Sequence, residues 1–201
     1  MTGGVSAGTR GGLGRSLFEM ALVIVSVLLA LTVENWREDR EKAALTQSVL
    51  GALAQELEAN RAAIDEALPY QDRSSEAFRA ALERYETKKE FVYPEEARTR
   101  GAAVRFSSAA YESAVIAQVL PRIKVDTLLK LSRVYAEQDA YADLLRGYSN
   151  ATLLVDFADG ARYFRLQSNE YAQLAEAERR ILPLIEAARA AVAGELGQGR
   201  R

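Results

Sequence analysis

Carboxylates are the most numerous side chains in this sequence that could perform chemistry: it has 28 Asp and Glu residues, and neither histidine nor cysteine. Without histidine or cysteine, Ser-His-Asp and Cys-His nucleophiles, histidine-ligated zinc, haem histidines and Glu-x-x-His di-iron bundles are excluded. A hydrolase built on two acids needs carboxyl groups about 5–10 Å apart. The candidate acids lie mostly where helix faces would be solvated: Glu56, Asp65, Glu66, Glu112, Asp126, Asp139 and Asp143. We therefore predict no catalytic residues and no enzymatic activity.

Three other patterns could hold a ligand. Asp156, Asp159 and Gly160 resemble calcium ligands but lack the calcium-loop spacing and its closing Glu, so a turn is favoured. The Gly-rich start of the chain follows no strand, so it is not a phosphate-binding loop. Four tyrosines at helical spacing could line the pocket of a ligand-sensing bundle, although core packing is favoured: Tyr111, Tyr135, Tyr141 and Tyr148. We predict no metal and no cofactor.

The segment from Leu17 to Val33 (LFEMALVIVSVLLALTV) is apolar on every helix face and carries one charge, Glu19. A membrane-spanning helix needs about 20 mostly apolar residues, and tryptophan prefers the headgroup level beside it. No small-residue cleavage site follows, which favours an uncleaved anchor over a signal peptide. We predict a flexible Gly-rich leader over 1–15 and a transmembrane helix over 16–36, anchored by Leu17, Glu19, Val33 and Trp36.

Glu19 has two interpretations. An acid inside a membrane segment can serve a proton relay or an oligomer contact. The favoured alternative places Glu19 less than one turn inside the boundary, paired with Arg15. Basic residues are nearly balanced on the two sides of the run, so orientation depends on the short leader, which behaves most simply as a cytoplasmic stub. The sequence thus predicts a single-pass protein of the bacterial inner (cytoplasmic) membrane with a periplasmic C-terminal domain.

Helical periodicity and the lack of a convincing strand predict an all-α domain over 37–196, followed by a disordered tail over 197–201. A near-heptad pattern over 37–68 predicts that the membrane helix continues into a stalk helix. Its apolar positions form a predicted interaction stripe: Leu50, Leu53, Leu57, Asn60 and Ile64. Asn60 could set register as a buried polar residue, but a partly exposed Asn60 pairing with Glu56 is favoured.

Prolines and capping residues divide the remainder of the chain. Pro69 predicts a turn over 69–72, and Pro183 is expected to kink or split the last helix. Ser107 or Ser108 is expected to cap the third helix. The predicted helices after the stalk cover about 72–89, 107–121, 126–150 and 162–196. The expected architecture is an up-and-down bundle of four or five helices.

The order of these features resembles a group of uncharacterised bacterial single-pass membrane proteins with one N-terminal transmembrane helix and a helical C-terminal domain. The resemblance rests on VLLALTVENW, REDREK, AAYESAVIAQVL and LLKLSRVYAEQDAY, and on an LxxELExN pattern: Leu53, Glu56, Leu57, Glu58 and Asn60. Such proteins usually have glycine and tryptophan where this chain has Ser26 and Tyr111. The resemblance covers most of the chain and implies the architecture without any activity.

The sequence therefore predicts a non-enzymatic helical interaction or scaffold protein at the lipid bilayer, which self-associates as a homo-oligomer or binds a protein partner. The formal net charge of −2 gives no electrostatic reason to expect nucleic acid. A ligand-sensing helical module and an accessory subunit of a membrane channel or transporter are the alternatives.

Overall fold

The computed structural model describes residues 10–97, 103–156 and 159–198, with side chains from Met20 onward except Ala21. Within those ranges the chain contains no strand and four α-helices: α1 (Arg10–Lys88), α2 (Ala109–Ile116), α3 (Val125–Leu153) and α4 (Gly160–Gln198). Short 3₁₀ turns cover Glu95–Ala97 and Leu120–Arg122. The all-α prediction is confirmed.

The chain divides into two compact units, Met1–Leu45 and Thr46–Arg201. In the first unit, the large apolar side chains described between Met20 and Trp36 are all 52–64% exposed. Across the part of the chain that the structure describes, no helical stretch is both long and apolar enough to cross a membrane. The side chains of Leu17, Glu19 and Arg15 lie outside the described residues, so their predicted anchoring and pairing do as well.

The predicted boundaries at the two ends of the chain shift by a few residues. Residues 10–15, expected in the flexible leader, belong to α1, and residues 197–198, expected in the disordered tail, belong to α4. Residues 1–9 and 199–201 lie outside the described ranges.

The second unit is a helical bundle in which α1 and α3 both run antiparallel to α4. Three ion pairs show that α1 runs antiparallel to α4, because the residue number in α4 falls as the residue number in α1 rises: Glu58–Arg189, Asp72–Arg179 and Glu86–Arg165. Hydrogen bonds fix α3 antiparallel to α4 in the same way: Lys124–Glu195, Tyr141–Glu178 and Thr152–Gln167. Because both helices oppose α4, α1 and α3 run in the same direction.

Between α1 and α3 the chain returns along the bundle through residues 89–97 and 103–124, which we call the return segment. It meets α1 in antiparallel order, since Ala97 contacts Tyr70 and Ser107 contacts Asn60. The return segment occupies the place of the second helix in an up-and-down bundle. Within its described part, α2 is the only α-helix, and several backbone groups outside a regular helix bond to side chains of neighbouring helices, among them those of Ala97, Val104 and Ser107.

The predicted turn at Pro69 is wrong, because Pro69 lies inside α1, which continues to Lys88. A proline in a helix interior removes one hydrogen bond and costs about 3 kcal/mol. Here Ile64 and Phe78 are fully buried in the bundle on either side of it, so tertiary packing outweighs the local penalty. Pro183 likewise lies within α4, between the fully buried Ile181 and Ile185, and does not split that helix.

Among the described residues, two apolar clusters fill the bundle. The larger joins α1, α3 and α4 through residues such as Leu57, Leu131 and Ile181. The smaller one surrounds Phe78 and Phe164 with further aromatic rings, several of them in edge-to-face contact. These clusters hold the long helices together and position the polar groups that lie between them.

Candidate functional site

The predicted interaction stripe lies inside the bundle. All five of its residues are at most 2% exposed: Leu50, Leu53, Leu57, Asn60 and Ile64. Its leucines and Ile64 belong to the larger apolar cluster, together with residues of α3 and α4. The stripe therefore packs within its own chain, and any partner must use the outer surface of the bundle.

Asn60 attaches the return segment to α1. Its Nδ2 donates to the Ser107 carbonyl at 2.8 Å, and its Oδ1 accepts from the Ser107 N–H at 2.9 Å. Because Asn60 is 2% exposed and bonded to Ser107, the prediction that it is partly exposed and pairs with Glu56 is wrong. The alternative of a buried polar residue is the one observed. Its partner lies in an irregular segment, which the helical periodicity could not identify.

Glu56 supplies the cap of α2 from a different helix. Its Oε2 accepts hydrogen bonds at 2.8 Å from the Ala110 N–H and from the Ser107 hydroxyl. The first N–H groups of a helix lack partners within it, and a carboxylate there also interacts favourably with the helix dipole. Ser108 makes no capping bond, since its hydroxyl donates to Glu112 at 2.5 Å. The predicted serine cap is therefore largely replaced by Glu56.

Glu178 is a second carboxylate in the core and is fully buried. Its Oε1 accepts from the Tyr141 hydroxyl at 2.8 Å and, weakly, from Gln71 Nε2 at 3.5 Å. Its Oε2 has no hydrogen-bond partner among the described residues. Burial raises the pKa of Glu178 to about 7, with a contribution from the Asp72 carboxylate, against the opposing effect of Tyr141 and Gln71. This acid therefore changes charge near neutral pH.

Tyr135 and Tyr141 of α3 connect the two carboxylates to one face of the bundle. The Tyr135 hydroxyl donates to Glu56 Oε1 at 2.7 Å, and the Tyr141 hydroxyl also accepts from the Val104 N–H at 3.2 Å. Burial and the adjacent carboxylates raise the pKa of both tyrosines well above the ordinary value, so both remain neutral donors.

An open cleft of about 320 Å³ lies beside these tyrosines, between the return segment and α3. Tyr135, Tyr141 and Phe106 contribute aromatic walls, and Arg105 and Asp139 are exposed at the rim. Of the four tyrosines considered for a pocket, only these two line the cleft. Tyr111 stacks on Tyr135 with ring centroids 4.2 Å apart, and Tyr148 is not part of the lining.

Gln138 lies between the two tyrosines on α3, lines the cleft and is 4% exposed. Neither its Oε1 nor its Nε2 has a hydrogen-bond partner among the described residues. An unsatisfied buried polar group costs about 1–3 kcal/mol. Gln138 is not among the residues that the sequence singles out. Its spacing of three residues from both Tyr135 and Tyr141 was the available signal.

The other acids considered for chemistry are exposed and lie on helix faces as expected: Asp65, Glu66, Glu112, Asp126, Asp139 and Asp143. Asp126 pairs with Lys130 at 2.5 Å, and Asp143 pairs with Arg146. In the described ranges, no group of three or more His, Cys, Asp or Glu residues could hold a metal ion.

The acid proposed as an alternative calcium ligand, Asp159, caps a helix. Its Oδ1 accepts from the Arg162 N–H at 3.0 Å, and its carbonyl accepts from the Tyr163 N–H at 3.0 Å. Gly160 next to it is buried under the Tyr85 ring, where a Cβ would lie 2.6 Å from Tyr85 Cε2. The Asp-Gly pair is thus explained by the start of α4 and by close packing.

No protein-family model matches the chain, and no curated protein or solved structure matches it significantly.

Proposed function

We propose that the chain is a single-pass protein of the bacterial inner membrane, in which the run from Leu17 to Val33 anchors a non-enzymatic helical interaction domain. The observation that carries this proposal is the exposure of apolar side chains on every face of the helix. Ten described residues between Met20 and Val33 are large, apolar and more than half exposed: Met20, Leu22, Val23, Ile24, Val25, Val27, Leu28, Leu29, Leu31 and Val33. A partner helix would cover one stripe, whereas a bilayer surrounds all faces.

The polar side chains within the run support the same environment. The Ser26 hydroxyl donates to the Leu22 carbonyl at 2.8 Å, and the Thr32 hydroxyl donates to the Leu28 carbonyl at 2.7 Å. In hydrocarbon, each polar group must find its partner inside the protein, because water is absent. Both hydroxyls satisfy that requirement within their own helix turn.

The residues after the run suit a membrane–water interface. The Arg40 guanidinium lies 4.7 Å from the centroid of the Trp36 ring, and Lys42 pairs with Glu38 at 2.7 Å. Aromatic and basic residues are enriched where a membrane helix leaves the hydrocarbon. The change from apolar to paired charged side chains begins at Glu34, so residues 34–36 form the interfacial end of the proposed span of 16–36.

The helix is long enough to cross the hydrocarbon of a bilayer only when the whole proposed span is included. Residues 22–33, all of whose side chains are described, span about 18 Å at 1.5 Å per residue, less than the ~30 Å of hydrocarbon. The span of 16–36 proposed from the sequence supplies the remaining length.

The proposed interaction surface lies on α2 and the start of α3. Four apolar side chains there are 50–82% exposed: Val115, Ile116, Val125 and Leu129. Single exposed apolar residues are ordinary, but several on consecutive elements favour a contact with another protein or a second copy of the chain. We propose that this surface, in the periplasm, is how the anchored domain self-associates or binds a partner.

Alkaline carbonate extraction of membranes tests the anchor. The wild-type chain should stay in the pellet, whereas Val25→Asp combined with Leu29→Asp should release it, because each acid at membrane depth costs about 2.5–3.5 kcal/mol. Leu45→Asp is the matched control, since Leu45 is 44% exposed and lies outside the run. Wild-type protein in the carbonate supernatant would refute the anchor.

Chemical cross-linking in membranes tests the interaction surface. Ile116→Glu with Leu129→Glu should abolish cross-linked species that the wild type forms. Leu153→Glu, at a residue that is 83% exposed near the other end of α3, should leave them unchanged. A wild-type chain that yields only monomers and no cross-linked partner contradicts this part of the proposal.

A further inference from the structure

The cleft beside Gln138 combines an accessible volume with a polar group that the protein leaves without a partner. Gln138 contributes to the cleft lining, is more than nine-tenths buried, and has both amide atoms unpaired among the described residues. A carboxamide offers one acceptor and two donors on a flat group. The best complement is therefore another flat group that presents a donor and an acceptor side by side.

The walls define the remainder of the ligand. Phe106 and Tyr141 meet edge to face with ring centroids 5.2 Å apart, and Leu145 adds an aliphatic surface. Aromatic side chains arranged in this way favour a ring that stacks or meets them at an edge. The volume of about 320 Å³ is at the small end of ligand sites and suits one ring with a short substituent.

The charges at the rim indicate a ligand without net charge. Arg105 and Asp139 are both exposed at the mouth of the cleft, and Arg146 pairs with Asp143. The two signs are balanced, so neither an anion nor a cation gains a net attraction. A charged ligand would also have to lose its hydration against the aromatic walls.

We propose that the cleft between the return segment and α3 binds a small, neutral aromatic amide, with the Gln138 carboxamide pairing with the ligand amide. Binding requires a rotation of the Gln138 side chain toward the cleft, since its amide atoms are covered in the structure. The lining shares no residue with the proposed anchor or with the proposed interaction surface, and the cleft adds a ligand to the proposed function.

The test compares two ligands of nearly equal shape on the full-length chain in detergent micelles. Benzamide has the amide donor and acceptor, whereas acetophenone replaces the NH₂ group with a methyl. Saturation-transfer NMR titrations should show saturable binding of benzamide, at least about tenfold tighter than acetophenone, because a site built for hydrogen bonds rejects an analogue that lacks them. Gln138→Leu should remove that preference.

Two further variants separate recognition from stability. Ala142→Trp fills the cleft from an exposed position of α3 and should abolish benzamide binding while Gln138 remains. Gln167→Leu replaces another buried glutamine, on α4, that is not part of the lining, and should leave binding unchanged. Thermal melts confirm that each variant is folded. The proposal is overturned if benzamide does not saturate, if acetophenone binds equally well, or if folded Gln138→Leu keeps the preference.

Discussion

The Tyr141 hydroxyl lies 2.8 Å from Glu178 Oε1 and joins α3 to α4 through a fully buried carboxylate. The same hydroxyl accepts the Val104 N–H at 3.2 Å, so one phenol connects both helices to the return segment. The wall of the cleft is therefore attached directly to a group whose charge changes near neutral pH. This arrangement makes Glu178 the first position to test.

Stability should fall as the pH rises from about 4.5 to about 7. The pKa of Glu178 is raised from its ordinary 4.5 to about 7, so the folded state binds more protons than the unfolded state across that interval. The unfolding free energy then decreases with pH by at most about 1.4 kcal/mol per unit, or roughly 3 kcal/mol in total. Burial also raises the pKa of Glu170, which adds to the same trend.

Urea denaturation of Glu178→Gln at pH 5 and pH 8 measures this effect. The variant should lose most of the difference between the two pH values and be more stable than the wild type at pH 8. Glu66→Gln, at an exposed acid, serves as the control and should keep the wild-type profile. An unchanged pH dependence in Glu178→Gln would show that Glu178 titrates as an ordinary surface acid.

Removing the carboxylate of Glu56 should release α2. Glu56→Ala deprives the Ala110 N–H and the Tyr135 hydroxyl of their acceptor, and the loss of the cap with an unsatisfied hydroxyl should cost about 2–3 kcal/mol. Amide hydrogen exchange should accelerate first in Ala109–Ile116. Glu58→Ala, two residues further along α1 at an exposed position, should leave exchange in α2 unchanged. Equal protection of α2 in both variants would contradict the assigned role.

Two glycines of α4 should respond to alanine in opposite directions. A Cβ on Gly160 would lie 2.6 Å from Tyr85 Cε2 and 3.0 Å from Phe91 Cδ2, whereas a Cβ on Gly194 would meet nothing within 4 Å. Gly194→Ala should therefore stabilise the protein by up to about 1 kcal/mol, through helix propensity alone. Gly160→Ala should lower the melting temperature, because the rings of Tyr85 and Phe91 must shift to accommodate the added Cβ. A melting temperature raised by both substitutions would contradict the packing described at Gly160.

The sequence predicts the positions of the helices better than the contacts that each helix makes with the rest of the chain. Periodicity and caps predict a helix over about 126–150 where α3 covers Val125–Leu153. They also identify the stripe from Leu50 to Ile64, which was predicted as an interaction stripe and is buried within the chain's own bundle. They fail at Pro69 because the decisive packing comes from other helices, not from the residues next to it. The helix-breaking cost of proline is a local effect, so a prediction that considers only neighbouring residues places a helix end at Pro69.

The candidate site is harder to predict for the same reason. Glu56 caps α2 at the Ala110 N–H, which is 54 residues further along the chain. The described residues between the end of α1 and the start of α2 follow no helical period. Gln138 lies three residues from both Tyr135 and Tyr141, but its missing hydrogen-bond partner becomes visible only in three dimensions. The sequence thus gives the position of such residues and not the groups that surround them.

The proposed topology places the run up to Val33 in a bilayer and the helical domain on the periplasmic side of the inner membrane. Because the chain has no cysteine, single introduced cysteines report this directly. Membrane-impermeant maleimide is applied to intact spheroplasts carrying Val25→Cys or Ala187→Cys, two positions that are exposed in the structure. A thiol in hydrocarbon forms little thiolate and should not react.

We expect Ala187→Cys to be labelled in intact spheroplasts and Val25→Cys to be labelled only after detergent is added. Labelling of Val25→Cys at the same rate as Ala187→Cys, without detergent, would contradict the claim that this run is anchored in a membrane.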